Sequence, residues 1–382
     1  MKVLITHLTF GRDVFGGVER ATFNLCLGLS TIGHEVVVYT SKKYVGDIDR
    51  TIIDGVRVVS SPHLKANFEG PTHLINEAIL TDYRQHRREI VVEFLALMAR
   101  ERPDYILAVD HLWGIVPHIA AWEHFSCASG LLYHMAYEPM ILEKTAAQPF
   151  THLWSVSPYL TKTLRRMCTA LTKKDIGILP NSIDTKDFHL GAVDHPTEAC
   201  TVFCNARLGP EKGVLYLVRA LPMVVAQGVD AKIYFCGGAF HFGDSSAVIA
   251  EIQGFLATCP GIRDRIEILP SLQWGEVAQY LSRADIVVLP TQDETFGMAA
   301  LEAMAAGVPL VASRVGNLSE LVQDAGVLVP PGDSGALASA IVATIRDREA
   351  TERRVHKGIE LARHYDCRAI ARRFVGAIRG HL

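Results

Sequence analysis

Apolar positions along the chain come mostly as short continuous runs and seldom as strict alternation, the pattern of strands buried on both faces of a parallel sheet. The first run, over 2–8, gives way to a loop from Thr9 to Gly17 and then to a helical period over 18–31 that Gly33 ends; the next run covers 35–40. This is a strand–helix–strand opening, with the glycine pair Gly16 and Gly17 where the first strand feeds the first helix. The alternation recurs to the end of the chain. Strands are predicted over 104–109, 129–133, 153–156, 200–205, 232–236, 266–270, 285–289 and 309–312, and helices over 157–171, 214–227, 274–282, 296–306, 337–345, 349–362 and 368–378. Between 60 and 102 the signal weakens: 60–76 reads as a long loop, followed by a helix to about 100 with Ile90, Val91, Phe94, Leu95 and Met98 on one face and Arg84, Arg87 and Arg88 near its start. A polar stretch ending near 197 reads as a linker between two α/β halves.

Candidate chemistry concentrates where strands feed helices. In the stretch over 284–313, a helix starting near Phe296 offers unpaired N–H groups and a partial positive charge, and Gly297 admits close backbone approach, so an anion such as a diphosphate fits at Phe296, Gly297 and Met298. Glu294 precedes that terminus and Glu302 lies two turns inside. Eight residues at the helical rise separate the two carboxylates by about 12 Å. That exceeds the roughly 5–9.5 Å between the acid and base of a glycoside hydrolase, and it suits a long ligand held at two places. The plainer alternative is that Glu294 complements the helix dipole and Glu302 is solvated. Arg207 and Lys212, in a loop at a strand's carboxyl end, form a fixed positive site for phosphates without a metal, or else are solvated surface charge. Gly237 and Gly238 make a further glycine turn at a crevice edge. Asp110-His111 and His134 end neighbouring strands and point to one crevice, although a histidine after a strand is often only structural.

Composition narrows the class. The 382 residues, 49% of them hydrophobic, provide for two domains with sizeable cores. A formal charge of -3 without a long basic run argues against nucleic acid as a partner. No segment reaches the roughly 18 apolar residues of a spanning helix, and the first residues lack a secretory pattern. The arginines near 84–88 leave peripheral contact with an anionic surface open, but solvated arginines beside a core face are the commoner arrangement. Eight cysteines without Cys-x-x-Cys or a disulfide-framework spacing fit reduced thiols of a cytoplasmic protein.

The spacing Glu294-x7-Glu302 within ETFGMAALEAMAAGVPLVAS resembles the signature of retaining glycosyltransferases of GT-B architecture, family four. GGVER, YHMAYEP, LPNSID, RLGPEKG and the terminal helix follow the family's order. The resemblance implies two Rossmann-like domains facing a cleft: 1–188 for the acceptor, 189–365 for the nucleotide sugar, and 366–382 as a helix returning to the first domain. It implies that Gly16 and Gly17 approach donor phosphate and acceptor, and that His134 contacts the donor sugar. Glu294 would then bind donor-sugar hydroxyls and Glu302 the ribose, with Arg207, Lys212 and the amides at 296–298 stabilising the leaving diphosphate. No cofactor or metal is expected. Uridine is the family's commoner base, so a UDP-sugar and a hydroxyl acceptor are the expected substrates. The sequence departs from the pattern in three places. Ser182 stands for a usual glycine, CGGAF replaces G-x-G, and Gly316-Asn317 replaces Gly-Gly, where asparagine's tolerance of left-handed backbone is expected to preserve the turn. A sugar phosphorylase, a nicotinamide dehydrogenase and a solute-binding protein are the competing classes; the second lacks its G-x-G-x-x-G here and the third is normally exported.

Overall fold

The computed structural model describes residues 1–11, 16–41, 51–63, 85–110, 124–125, 127–188, 199–236, 245–270, 272 and 274–379. Two compact units divide the chain, Met1–Asp184 with Tyr365–Leu382, and Thr185–His364.

The first unit runs through Lys2–Thr6 (β1), Gly17–Thr31 (α1), Glu35–Ser41 (β2), Thr51–Ile53 (β3), Val56–Ser61 (β4), Arg87–Glu101 (α2), Tyr105–Val109 (β5), Ala128–Tyr133 (β6), Pro139–Ala146 (α3), His152–Ser155 (β7), Pro158–Met167 (α4) and Ile176–Ile178 (β8). Its eight strands lie in the order β3-β4-β2-β1-β5-β6-β7-β8. Every neighbouring pair is parallel except β3 with β4. Those two strands form a hairpin on Asp54-Gly55, both at positive φ (50° and 80°), a turn whose Asp-Gly signature stands in the sequence although the pattern reading passed over it. β1 and β5 are buried throughout or nearly so, which is why they read as unbroken apolar runs. The helix of 157–171 is shorter than its pattern, ending at Met167 before a tighter turn over Thr169–Leu171. It starts on a Ser157 side chain that accepts the Leu160 N–H, with Pro158 in the first turn.

The second unit contains Cys200–Cys204 (β9), Val214–Ala226 (α5), Ala231–Cys236 (β10), Ser246–Thr258 (α6), Ile266–Leu269 (β11), Trp274–Ser282 (α7), Ile286–Leu289 (β12), Met298–Ala305 (α8), Leu310–Ser313 (β13), Leu318–Val322 (α9), Val327–Val329 (β14), Ser334–Arg346 (α10) and Arg348–Arg363 (α11). Six parallel strands stand in the order β11-β10-β9-β12-β13-β14. Leu217, Val218 and Leu221 of α5 and Leu337 and Ile341 of α10 pack with the strand residues Val202, Ile233, Ile286 and Val288 in one core.

The last helix, Cys367–Ile378 (α12), packs on α1 in the first unit. A Cβ on Gly28 would stand 2.2 Å from the Cys367 carbonyl oxygen, so the close crossing of these helices needs a glycine there. Cys367 N–H donates to the Ile183 carbonyl (2.8 Å), Ile183 N–H to the Tyr365 carbonyl (3.0 Å), and Arg368 pairs with Asp184 (3.1 Å) and Asp366. All eight cysteines are free thiols. Among the described residues no helix is long and apolar enough to cross a membrane. The expected loop over 60–76 and the linker ending near 197 fall largely outside the described residues, as do Arg84, His111, Gly237 and Gly238.

Candidate functional site

In the second unit the strand order reverses between β9 and β12. Loops leaving the carboxyl ends of two such strands diverge and open a crevice, the usual ligand position in open α/β sheets. β9 delivers Asn205, Arg207 and Lys212, and β12 delivers Glu294 and the start of α8, so the sheet topology brings together three residues singled out by motif, Arg207, Lys212 and Glu294, with the helix start.

Two hydrogen bonds lace the loops: Gln292 N–H (2.7 Å) and the Thr291 hydroxyl (3.1 Å) both donate to the Glu211 carbonyl. Gly213, at φ 62°, lies so close beneath that a Cβ would stand 2.1 Å from the Pro290 oxygen. Across this junction Lys212 Nζ is 2.9 Å from Glu294 Oε2, with side chains 20% and 22% exposed. Partial desolvation strengthens the pair relative to a surface one and makes loss of either member costly. Arg207 pairs with Glu211 at 2.9 Å, both well exposed. Each of the two cations read as a fixed positive site is thus matched by a carboxylate. Glu302 is not the solvated group of the plainer reading. It is 2% exposed, and Asn205 Nδ2 donates to its Oε2 at 2.7 Å.

The start of α8 is held from behind. Asn317 N–H donates to the Glu294 carbonyl and Asn317 Nδ2 to the Phe296 carbonyl, each at 2.9 Å. The turn departs from the expectation for Gly316-Asn317: Gly316 takes the left-handed geometry (φ 52°), while Asn317 is right-handed (φ -78°) and contributes through its amide. A Cβ on Gly316 would lie 2.0 Å from the Glu294 oxygen. Gly297 precedes Met298 with φ 108°, and Leu318 Cδ2 occupies the side where its Cβ would stand, 2.7 Å away. Helix packing therefore requires this glycine irrespective of any ligand. Phe296 N–H points to Glu294 Oε1 at 3.5 Å.

In the first unit the order reverses between β1 and β5. Asp110, just past β5, sits at φ 51° and accepts the His134 backbone N–H at 3.0 Å. Non-glycine residues enter this region at a cost, and such strain gathers at functional sites. His134 is 3% exposed; its Nδ1 is 3.4 Å from Asp110 Oδ2 but outside hydrogen-bonding geometry, and among the described residues neither ring nitrogen has a hydrogen-bond partner. On α1 the Glu19 carboxylate folds back over Gly16, where a Cβ would be 2.0 Å from Oε2. Burial, with Asp110 nearby adding to it, pushes the Glu19 carboxyl up to about 7. Gly17 is exposed beside it.

Sequence reading missed Asn205 and Glu19. Glu19 stands inside the quoted GGVER, three residues after the helix cap, where a glutamate normally signals only a capping role. Asn205 carried no local signal, because its partner lies 97 residues away. Among the described residues, the grouping of Asp184, Asp366 and Cys367 has metal-ligand spacing. The Arg368 guanidinium already takes both of its carboxylates.

Residues 199–347 match the family described as glycosyl transferases group 1. Over 97% of the chain, and 92% of the relative, the sequence is 25% identical to glycogen synthase of Mycobacterium tuberculosis. The fold is similar to sucrose-phosphate synthase from Thermosynechococcus elongatus, with TM-score 0.80 and 22% identity over 99% of this chain and 98% of that one. It is also similar to Anabaena HepE in complex with UDP and glucose, with TM-score 0.74 and 18% identity over the whole of both chains.

Proposed function

This chain belongs to the glycosyltransferases of GT-B fold, and from that premise we propose that it moves a sugar from a nucleoside diphosphate, UDP in the first instance, to an acceptor hydroxyl with retention at the anomeric carbon and without a metal ion. The observation that carries the reading is the Lys212–Glu294 pair, 2.9 Å apart at the switch point of the second unit. An arriving diphosphate competes with Glu294 for the lysine. Once it has the lysine, the carboxylate is released to accept hydrogen bonds from hydroxyls of the donor sugar. The same exchange frees Arg207 from Glu211. Glu302, already oriented by Asn205, accepts from the ribose hydroxyls.

In the transfer, the bond from the anomeric carbon to the diphosphate oxygen breaks and its electron pair stays on that oxygen. The acceptor oxygen bonds to the same carbon, and its proton passes to the departing phosphate. Negative charge growing on the phosphate is the main demand on the protein, and Lys212, Arg207 and the amides at 296–298 meet it. UDP is favoured because a protein of the same fold is known in complex with UDP and glucose.

Calorimetry with UDP and a transfer assay on UDP-glucose test the exchange. Lys212→Ala should weaken UDP binding about tenfold, the scale of one charge-assisted hydrogen bond. Glu294→Gln should bind free UDP several-fold more tightly, since the competing charge is gone, yet lose transfer. Weaker UDP binding in Glu294→Gln would refute the exchange. UDP must be released, not sugar phosphate, and activity must persist in a chelator.

A further inference from the structure

We propose that Glu19 is a substrate-binding residue of the first unit, whose carboxyl, lying over Gly16 beside Asp110 and His134, takes a hydroxyl of a polyol acceptor such as a hexose or a cyclitol. The inference deepens the glycosyl-transfer reading and rests on it for the word acceptor.

Three observations meet at one place. The glycine at position 16 leaves room for the Glu19 carboxylate, since any larger residue would put a Cβ 2.0 Å from Oε2. A glutamate serving only as a helix cap would stand in water, whereas Glu19 is densely surrounded by protein while keeping a partly exposed face. Asp110 holds a strained left-handed backbone from which its side chain fixes the strand end at His134. His134 itself is 3% exposed, and among the described residues both of its ring nitrogens lack hydrogen-bond partners, a costly arrangement that a bound group with a donor and an acceptor relieves.

The charges select the class of that group. Glu19 faces Asp110 from the end of β5, His134 from the end of β6, and Arg20 and its own backbone N–H on α1. Asp110 acts electrostatically on Glu19, and negative charge on the two carboxyl groups disfavours phosphate and carboxylate ligands. Their ligand atoms together with those of His134 do not come within reach of a single metal ion. A neutral hydroxyl both donates and accepts, so it can give its proton to a carboxylate oxygen and take one from an imidazole or a protonated carboxyl. With the Glu19 carboxyl pushed up to about 7 by burial first and Asp110 next, both of its forms are populated at neutral pH.

The test uses the full chain labelled with 15N in histidine and saturated with UDP. Methyl α-glucoside and myo-inositol are titrated in while the His134 ring signals, identified by their loss in His134→Gln, are followed. At least one polyol should shift them saturably. Glu19→Ala should weaken that polyol about tenfold or more, and Glu19→Gln about two- to threefold, as expected for loss of a hydrogen bond to a charged group and for its replacement by a neutral one. The wild-type affinity should change across pH 7 and that of Glu19→Gln should not. UDP affinity should stay within about twofold in all variants. The proposal is overturned if neither polyol moves His134, if Glu19→Ala leaves polyol affinity unchanged, or if UDP and polyol affinity fall together. Failure of the wild type to bind UDP would strike the glycosyl-transfer reading instead. The polyol titration without UDP would then still decide the role of Glu19.

Discussion

The Glu19 carboxyl illustrates how a single residue carries both stability and chemistry. Its ordinary value of 4.5 is raised to about 7, so between those two pH values the folded chain holds a proton that the unfolded chain has released. Stability from this residue is therefore full below about pH 4.5, falls as pH rises to 7, and stays low above it. The shift corresponds to at most about 3 kcal/mol, reduced by the partial exposure of the side chain. Glu19→Gln keeps the shape without the charge. Its melting temperature should match the wild type at pH 4.5 and exceed it at pH 8; a constant difference across that range would contradict the burial account. Motifs revealed Glu294, Arg207 and Lys212 because each stands at a strand–helix junction that local pattern marks, and Glu302 through its fixed spacing from Glu294 inside the helix that follows. Their pairings were illegible, since Lys212 meets Glu294 and Asn205 meets Glu302 only after the sheet forms.

At the scale of elements, most helices and strands followed the apolar pattern to within a few residues, because parallel strands buried on both faces leave little ambiguity. The hairpin of β3 and β4 escaped because β3, at three residues, carries too short a pattern to register beside the six-residue β4. Order in the sheet was equally out of reach, since nothing local states which strands neighbour one another. The loops after β9 and β12 form one structural piece through Gly213, and this supports a prediction. Gly213→Ala would force an L residue to φ 62° with its Cβ 2.1 Å from the Pro290 oxygen. The expected cost is about 1–3 kcal/mol in stability, with UDP affinity falling as Lys212 shifts. Gly254→Ala is the control: it sits exposed within α6 with nothing near its Cβ, and should stabilise by about 0.5–1 kcal/mol. Chemical denaturation and calorimetry on the two variants separate strain from a generic glycine effect.

For the whole molecule, the two units are unequal in how they are made. The second is a continuous stretch, Thr185–His364, whereas the first borrows Tyr365–Leu382 from beyond it. In α12, Ile370, Phe374, Val375 and Ile378 are all buried. Burying four such side chains contributes about 6–12 kcal/mol, comparable to the roughly 5–15 kcal/mol stability of an entire domain. Ending the chain after His364 should therefore unfold the first unit while the second keeps its structure and its UDP binding. Hydrogen exchange resolved along the chain would show protection lost in β1, β5 and α1 and retained in β9 and β12; uniform loss or uniform retention would contradict the division.

That discontinuity also sets an order of events during synthesis. As the nascent chain leaves the ribosome, the stretch carrying the nucleotide motifs can complete its sheet as soon as it emerges. The half made earliest must wait with the Gly28 face of α1 uncovered until the final helix is released. The amino-terminal half is thus translated first and finished last, and in that interval chaperones have an apolar surface to hold.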